Sequence, residues 1–266
     1  MRINNNSIAF NAYRNVSATE GELGKSLEKL SSGYRINRAA DDAAGLVISQ
    51  KLRYTVSGLK VATRNAQDGV SVVQTAEGAL SEVHNMLQRV RDLVVQSANT
   101  GSVDTNAQSA AQAEVDALFS EIKRINDSTS FGGVHLLDGK YSGKVFQVGA
   151  DKGSVITVNI KSLTAAVGVT AITVTGASAL SKIDKAIAGV STLRGDLGAK
   201  QNRFESTIAN LSAATENLAA SESRIRDTDM AAEMVNFTRH QILLQAGTAM
   251  LGQANQVPQS MLRLIQ

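Results

Sequence analysis

Side chains that could perform acid–base, metal or nucleophilic chemistry are few and scattered along the chain. The three histidines, His84, His135 and His240, lie far apart and none has a second ligand at metal-binding spacing. The chain has no cysteine, which excludes disulfides, thiolate metal sites and cysteine nucleophiles. It also lacks a Gly-x-Ser-x-Gly nucleophile turn. We therefore expect neither an enzyme nor a bound cofactor or metal.

Two motifs look like binding sites but have simpler explanations. Residues 21–26, GELGKS, resemble the end of a phosphate-binding loop, yet that motif needs a glycine where Thr19 stands, and a strand where the pattern is helical. The acidic pairs at 41–42 and at 227 and 229 precede predicted helices, where carboxylates cap the helix and favour its dipole.

Composition favours helix-on-helix packing. The 266 residues carry a formal net charge of +3 with no basic block, so nucleic acid is not an expected partner. Aromatic residues are only 4% of the chain and Trp is absent, which suits an aromatic-lined pocket badly. The longest charge-free stretch, residues 162–181, is rich in Thr, Ser and Gly and favours surface strands with turns over a membrane span, while for residues 162–177 periodicity leaves a second hairpin and a loose loop both open. We expect a soluble protein with no membrane span and no cleaved Sec-type signal.

Elements that would position any functional residue are long helices. In residues 44–98 two apolar or small columns repeat at seven-residue intervals, which is typical of a coiled coil. One column is Leu52, Leu59, Ala66, Val73, Leu80, Leu87 and Val94, and the other is Ile48, Thr55, Ala62, Gly69, Ala76, Val83, Val90 and Ser97. A matching column, from Ile183 to Ile225, predicts a second rod, and the two rods must fold back on each other to bury their stripes.

Shorter elements complete a mainly α fold, with long antiparallel coiled-coil-like rods and a small β-hairpin insert. Helices are predicted over 5–32, ending at Gly33, over 106–126, and over 230–256, before Pro258. Residues 145–148 and 155–160 predict the hairpin. The expected domains are the terminal segments 1–43 with 227–266, the rods 44–130 with 178–226, and the insert 131–177.

The terminal segments are unusually poor in charge. Residues 3–13 have no charged side chain, and residues 230–266 have only Glu233, Arg239 and Arg263. A solvated helix normally has a charged face, so these segments are expected to be covered.

These segments and the rods resemble bacterial flagellins. The resemblance is carried by residues 26–53 (SLEKLSSGYRINRAADDAAGLVISQKLR) and 64–99 (RNAQDGVSVVQTAEGALSEVHNMLQRVRDLVVQSAN). It continues in residues 193–211 (LRGDLGAKQNRFESTIANL) and 225–262. The central region between them is short, so the chain resembles a minimal flagellin without a large outer domain.

The resemblance implies a subunit that self-polymerises into the extracellular flagellar filament for swimming. Its terminal helices would form the inner tube of the filament. An export chaperone would bind the same apolar segments before export through the flagellar type III secretion apparatus. Filament cap and hook-junction proteins would be further partners. The residues expected to serve assembly and chaperone binding are Ile8, Val16, Leu23, Met234, Phe237, Ile242, Leu244, Met250, Leu251 and Val257.

The resemblance also implies recognition by the Toll-like flagellin receptor of animal hosts. The family's contact residues carry over to Gln88, Arg89, Leu93 and Glu114. Arg89 and Leu93 lie off the two heptad columns, so we expect both to face outward. Contacts with neighbouring subunits are the alternative explanation for these residues.

Three other functions remain to be compared with this one. A hook-filament junction protein shares the terminal-helix plan, but the match of both ends to filament flagellins argues against it. A general helical scaffold would leave the uncharged termini unexplained, and an enzyme would need a catalytic set that the sequence does not provide.

Overall fold

Long helices dominate the described part of the chain. The computed structural model describes residues 6–99, 104–168, 172–174, 176 and 178–265, and side chains in the last helix as far as residue 256. The helices are α1 Ser7–Ser32, α2 Ala43–Ser97, α3 Thr105–Ser128, α4 Leu163–Val167, α5 Ala179–Arg226 and α6 Met230–Ile265. The strands are β1 Ser130–Phe131, β2 Val134–His135, β3 Lys144–Gln147 and β4 Val155–Val158. The predicted fold class is confirmed.

The predicted helix boundaries have clear stereochemical causes. Gly33 ends α1 with φ +74°, a left-handed conformation that favours glycine, and its N–H donates to the Lys29 carbonyl oxygen. At the start of α2, Oδ1 of Asp42 accepts the Gly45 N–H at 2.8 Å. Oδ1 of Asp229 likewise accepts the Ala231 N–H at 2.9 Å at the start of α6.

The chain divides into two compact units. Met1–Tyr54 and Asn217–Gln266 form one unit, and Thr55–Glu216 form the other. Helices α2 and α5 each contribute residues to both units. The three domains expected from the sequence were drawn at helix breaks, and those boundaries stay a prediction.

In the unit of residues 55–216, α2 and α5 run antiparallel. Arg91 Nε lies 2.9 Å from Asp184 Oδ1, and earlier along α2 Glu77 Oε1 lies 3.7 Å from Arg194 Nη2. Nearer the start of α2, Gly69 leaves room for the ring of Phe204. Both predicted columns of α2 are buried from Leu59 to Ser97, with Ile183, Val190, Leu197 and Phe204 facing them from α5. Ile48, before this unit, is exposed.

The predicted hairpin is confirmed and is fastened to the rods. β3 and β4 pair antiparallel, with Phe146 opposite Ile156. The Phe146 ring meets Phe204 of α5 edge to face, with ring centroids 5.5 Å apart. From α2, Asn65 Nδ2 donates to the Gln147 carbonyl oxygen at 3.0 Å. A second antiparallel pair, β1–β2, precedes it.

Residues 162–168, 172–174 and 176, the described part of 162–177, contain no strand, so no second hairpin forms among them. Residues 163–167 form the short helix α4, which buries Leu163 and Val167. Because these two side chains lie four residues apart, a single helical turn brings both to the core. Further on, the Gln112 side chain of α3 accepts the Val174 N–H and donates to the Ile172 carbonyl oxygen, both at 2.9 Å. Backbone groups at 172 and 174 are thus satisfied without a partner strand.

The last helix is longer than the sequence indicated. Its expected end near residue 256 is wrong, because α6 continues through Pro258 to Ile265. Proline lacks one N–H donor, which removes one bond from the helical ladder, and here the backbone stays helical on both sides of it.

Candidate assembly and recognition surfaces

The three histidines lie in different elements, and the described residues form no metal-binding group. No group of three or more His, Asp or Glu residues in the described ranges could hold a metal ion. His84 Nε2 lies 3.0 Å from Gln88 Nε2 on α2, whereas His135 is in β2 and His240 in α6. None of the helices in the same ranges is long and apolar enough to cross a bilayer.

The first candidate surface is the terminal helix pair, by which we mean α1 and α6. The two helices pack antiparallel, since Asn6 at the start of α1 donates from Nδ2 to the Ala254 carbonyl oxygen at 2.8 Å. Ten residues further along α1, a Cβ placed on Gly247 would lie only 2.7 Å from Val16 Cγ2. Close approach at this point explains a glycine within a helix.

The other end of the pair is closed by backbone hydrogen bonds between two helix breaks. The Thr228 N–H donates to the Gly33 carbonyl oxygen at 3.0 Å, and the Arg35 N–H donates to that of Arg226 at 2.7 Å. The Arg226 guanidinium also stacks on the Tyr34 ring, 4.2 Å from its centroid. These bonds fix the residues that follow α1 against those that precede α6.

The sequence-predicted assembly residues divide into two groups within this pair. The first group is half-buried and consists of Val16, Leu23, Phe237, Leu244 and Leu251. Side chains turned outward are 50–65% exposed, and they are Ile8, Met234, Ile242 and Met250. The Val257 side chain lies outside the described residues. Sequence reasoning overlooked Phe10 and Tyr13, two exposed aromatic residues of α1.

We call the exposed apolar residues of α6 its outer face. They are Met230, Met234, Val235, Ile242, Leu243 and Met250. Part of this face is a shallow depression, which Thr238 and Arg239 also line. A helix that packs on its partner and still exposes this much apolar surface is typical of an interaction site.

The second candidate surface lies on α2 and α3 and includes the predicted receptor contacts. Arg89 Nε of α2 lies 2.8 Å from Glu114 Oε1 of α3, with 54% and 43% of the two side chains exposed. The hydrogen bond and charge of Glu114 raise the pKa of the Arg89 guanidinium. Gln88, beside Arg89, is also exposed. We call Gln88, Arg89 and Glu114 the rod patch.

Leu93 does not belong to the rod patch as a free side chain. The expectation that it faces outward is wrong, because Leu93 is only 3% exposed and packs in the apolar core. Helix α2 is covered by α3 as well as by α5, so its buried stripe is wider than two columns. A third column, Val72, Ala79, Met86 and Leu93, also repeats every seven residues, and it is the signal that could have shown this.

Comparison with known proteins identifies the family. The family model of the bacterial flagellin N-terminal helical region matches residues 3–142, and that of the C-terminal helical region matches residues 180–265. The chain belongs to the bacterial flagellin family. It is 50% identical to a flagellin of Halalkalibacterium halodurans and 48% identical to a flagellin of Bacillus subtilis, in each case over all of both chains.

Solved structures agree with this assignment. The crystal structure of Bacillus cereus flagellin is similar with a TM-score of 0.51 and 28% identity, covering 60% of this chain and 94% of that one. As a flagellin, the protein is a structural subunit of the extracellular bacterial flagellar filament, and it acts in motility by self-polymerisation. The expected family and location are confirmed.

Proposed function

We propose that the outer face of α6, together with the exposed apolar residues of α1, joins one flagellin subunit to the next. The observation that supports this most strongly is that Met234, Ile242 and Met250 remain exposed after α1 and α6 have packed together. Burying them against other subunits would remove apolar surface from water, which is the main favourable term in association. Contacts between different faces of identical subunits generate a helical filament when the rotation does not close.

Deletion of residues 230–266 tests this proposal. Purified subunit is seeded with sheared filament ends and inspected by negative-stain electron microscopy. The full chain is expected to give long filaments of uniform width, and the truncated chain none, while circular dichroism still reports folded rods. Filaments from the truncated chain would contradict the proposal. Persistent monomers or short capped stubs from the full chain would instead favour the hook-filament junction protein.

We further propose that the terminal helix pair orders fully only on assembly. Among the described side chains of α1 and α6, those that are buried are Ser26, Glu233 and Ala254, so the pair has little apolar core of its own. Segments with few buried apolar contacts open at low free energy. Amide hydrogen exchange should therefore be faster in α1 and α6 than in residues 66–94 in the free subunit, and slow in both within filaments. Equal protection in the free subunit would contradict this.

The same apolar helix is proposed to bind a flagellar export chaperone before export through the type III apparatus. Chaperone binding would shield the outer face of α6 and delay polymerisation in the cell. Filament cap and hook-junction proteins would meet the same terminal helices at the two filament ends. Isothermal titration with the chaperone should give weaker binding to Ile242→Gln than to Gln241→Ser, an exposed polar neighbour. Equal affinities would contradict a role for the outer face.

The rod patch supports a second proposed role, as a ligand of the Toll-like flagellin receptor of animal hosts. Arg89 and Glu114 present opposite charges side by side on adjacent helices, at more than 40% side-chain exposure each. Such a pair can accept complementary charges from a partner in one orientation, which gives specificity. Leu93 would act beneath the patch by holding α2 and α3 in place.

Arg89→Ala and Arg91→Ala form a matched test of this role. Both arginines are on α2 and both have a carboxylate partner on another helix, but only Arg89 belongs to the rod patch. In a receptor reporter assay with folded subunit, Arg89→Ala should lose most of the signal and Arg91→Ala should retain it. Unchanged signalling by Arg89→Ala would contradict the proposal.

A further inference from the structure

Methionines are concentrated in the last helix. Four of the six methionines of the chain, Met230, Met234, Met250 and Met261, lie in residues 230–266, and the chain has no cysteine. Met230, Met234 and Met250 belong to the outer face of α6 and are between 46% and 65% exposed. By contrast, Met86 packs against the core of the rods. The accessible sulfur of the described side chains is thus placed on the proposed assembly surface.

Flexible, polarizable methionine side chains suit a surface that must fit several neighbours. The same thioethers are targets for two-electron oxidation, and susceptibility follows exposure. When a peroxide reacts, a sulfur lone pair attacks one peroxide oxygen and forms the S–O bond of a sulfoxide. The O–O bond breaks, the leaving hydroxide takes up the proton of the transferred hydroxyl and becomes water, and the sulfur is oxidised by two electrons.

We propose that Met230, Met234 and Met250 are three reversible oxidation positions along α6, and that peroxide-class oxidants acting on them prevent the free subunit from joining a filament. This inference rests on the proposed role of the outer face of α6 in assembly. A sulfoxide oxygen is a strong hydrogen-bond acceptor, and burying it without a donor opposes association. Subunits already in a filament would be shielded, since the same side chains are then covered.

Oxidation of these three methionines affects assembly and leaves the fold of the rods intact. Met86 is half-buried on α2 among the core side chains of the rods, so oxidation at low peroxide reaches the outer face of α6 first. The helix pair itself is held by other side chains, such as Phe237, Leu244 and Leu251. Enzymes of the methionine sulfoxide reductase class reverse the modification. The oxidised subunit therefore keeps its folded rods, and its capacity to assemble can be restored.

The experiment treats the full-length free subunit with dilute hydrogen peroxide and maps sulfoxides by peptide mass spectrometry. We expect oxidation of Met230, Met234 and Met250 well before Met86. The critical concentration for seeded polymerisation should rise about tenfold or more. Methionine sulfoxide reductase should restore the untreated value. The variant Met230→Leu/Met234→Leu/Met250→Leu, which keeps similar side-chain volume, should polymerise equally well before and after treatment.

The inference is overturned if the oxidised subunit, with sulfoxides verified at all three positions, polymerises like untreated subunit. It is also overturned if the leucine variant loses assembly on treatment to the same extent as the wild type. If the leucine variant fails to assemble untreated, the reductase result decides, because only sulfoxide chemistry is reversed by that enzyme. Ile242→Gln distinguishes failure of the oxidation inference from failure of the proposed assembly role, since normal assembly of this variant would contradict the assembly surface itself.

Discussion

Arg89 Nε of α2 lies 2.8 Å from Glu114 Oε1 of α3, so two residues that the family resemblance assigns to a receptor are each other's ion-pair partners. Arg89 lies eight residues before the end of α2 and Glu114 nine after the start of α3, so the pair bridges two antiparallel helices. A receptor that binds here meets a preformed pair of charges.

The ion pair should matter little for stability. Both side chains are about half exposed, and exposed ion pairs contribute little because water and salt screen them. Arg89→Ala is expected to leave the urea midpoint of the free subunit almost unchanged, and 1 M salt should remove what difference there is. A large loss of stability would mean that signalling defects of this variant reflect unfolding.

Leu93 should behave in the opposite way. It is buried in the core shared by α2, α3 and α5, and truncating a buried leucine costs about 2–5 kcal/mol. Leu93→Ala should therefore lower the free energy of unfolding by that amount, as urea titration would show. Val95, two residues on, is half exposed, and Val95→Ala should have a much smaller effect. Equal effects would contradict the burial of Leu93.

Periodicity predicted the helices and their repeating apolar columns, but it could not predict which other helices pack on them. The columns that contain Leu80 and Val83 predicted the buried stripe of α2, and Gly33 predicted the end of α1. The burial of Leu93 depends on α3 lying across α2, which is a tertiary contact. The sequence did not indicate the helix at 163–167, because the β-branched residues nearby favour strands. The helix forms because one helical turn buries both Leu163 and Val167.

The candidate surfaces were predictable to different degrees. The lack of charge in residues 230–266 indicated a helix that a partner must cover. Within the subunit α6 leaves Ile242 and Met250 exposed, so they are available to such a partner. Which side chains face α1 and which face outward could not be read from the sequence. With apolar residues distributed around α6, only its pairing with α1 distinguishes Leu244 from Ile242.

Two glycines of α2 should respond to alanine with opposite signs. A Cβ at Gly69 would lie 2.6 Å from Cζ of Phe204, so Gly69→Ala must displace a buried ring and should destabilise the rods by about 1–3 kcal/mol. A Cβ at Gly78 would meet no atom within 4 Å, so Gly78→Ala should stabilise the folded rods by about 0.5–1 kcal/mol through helix propensity. Thermal unfolding of both variants checks this. A stabilised Gly69→Ala would contradict the packing of Phe204.

The turn before α2 should weaken in acid. Asp41 Oδ2 accepts the backbone N–H groups of Arg38 and Asn37 at 2.9 and 3.1 Å, and these bonds hold its pKa below the usual 3.8. Because the folded pKa is the lower one, the ionised carboxylate stabilises the fold above the unfolded pKa, and this contribution is lost as pH falls through the folded pKa.

Asp41→Asn provides the measurement for that pH dependence. At pH 6 the variant should be less stable than the wild type, and the difference in melting temperature should shrink as the pH falls below about 4, the region of the ordinary carboxyl pKa. A difference that stays constant down to pH 2 would show that these hydrogen bonds do not depend on the charge of Asp41.

Critical concentrations for seeded polymerisation of two neighbouring variants test the central claim most directly. Ile242→Gln alters an exposed apolar residue of the outer face of α6, and Gln241→Ser alters an exposed polar residue beside it. Sedimentation after seeding should show at least a tenfold higher critical concentration for Ile242→Gln, because a buried contact between subunits is lost. Gln241→Ser should match the wild type. Identical critical concentrations for all three proteins would contradict assembly through the outer face of α6.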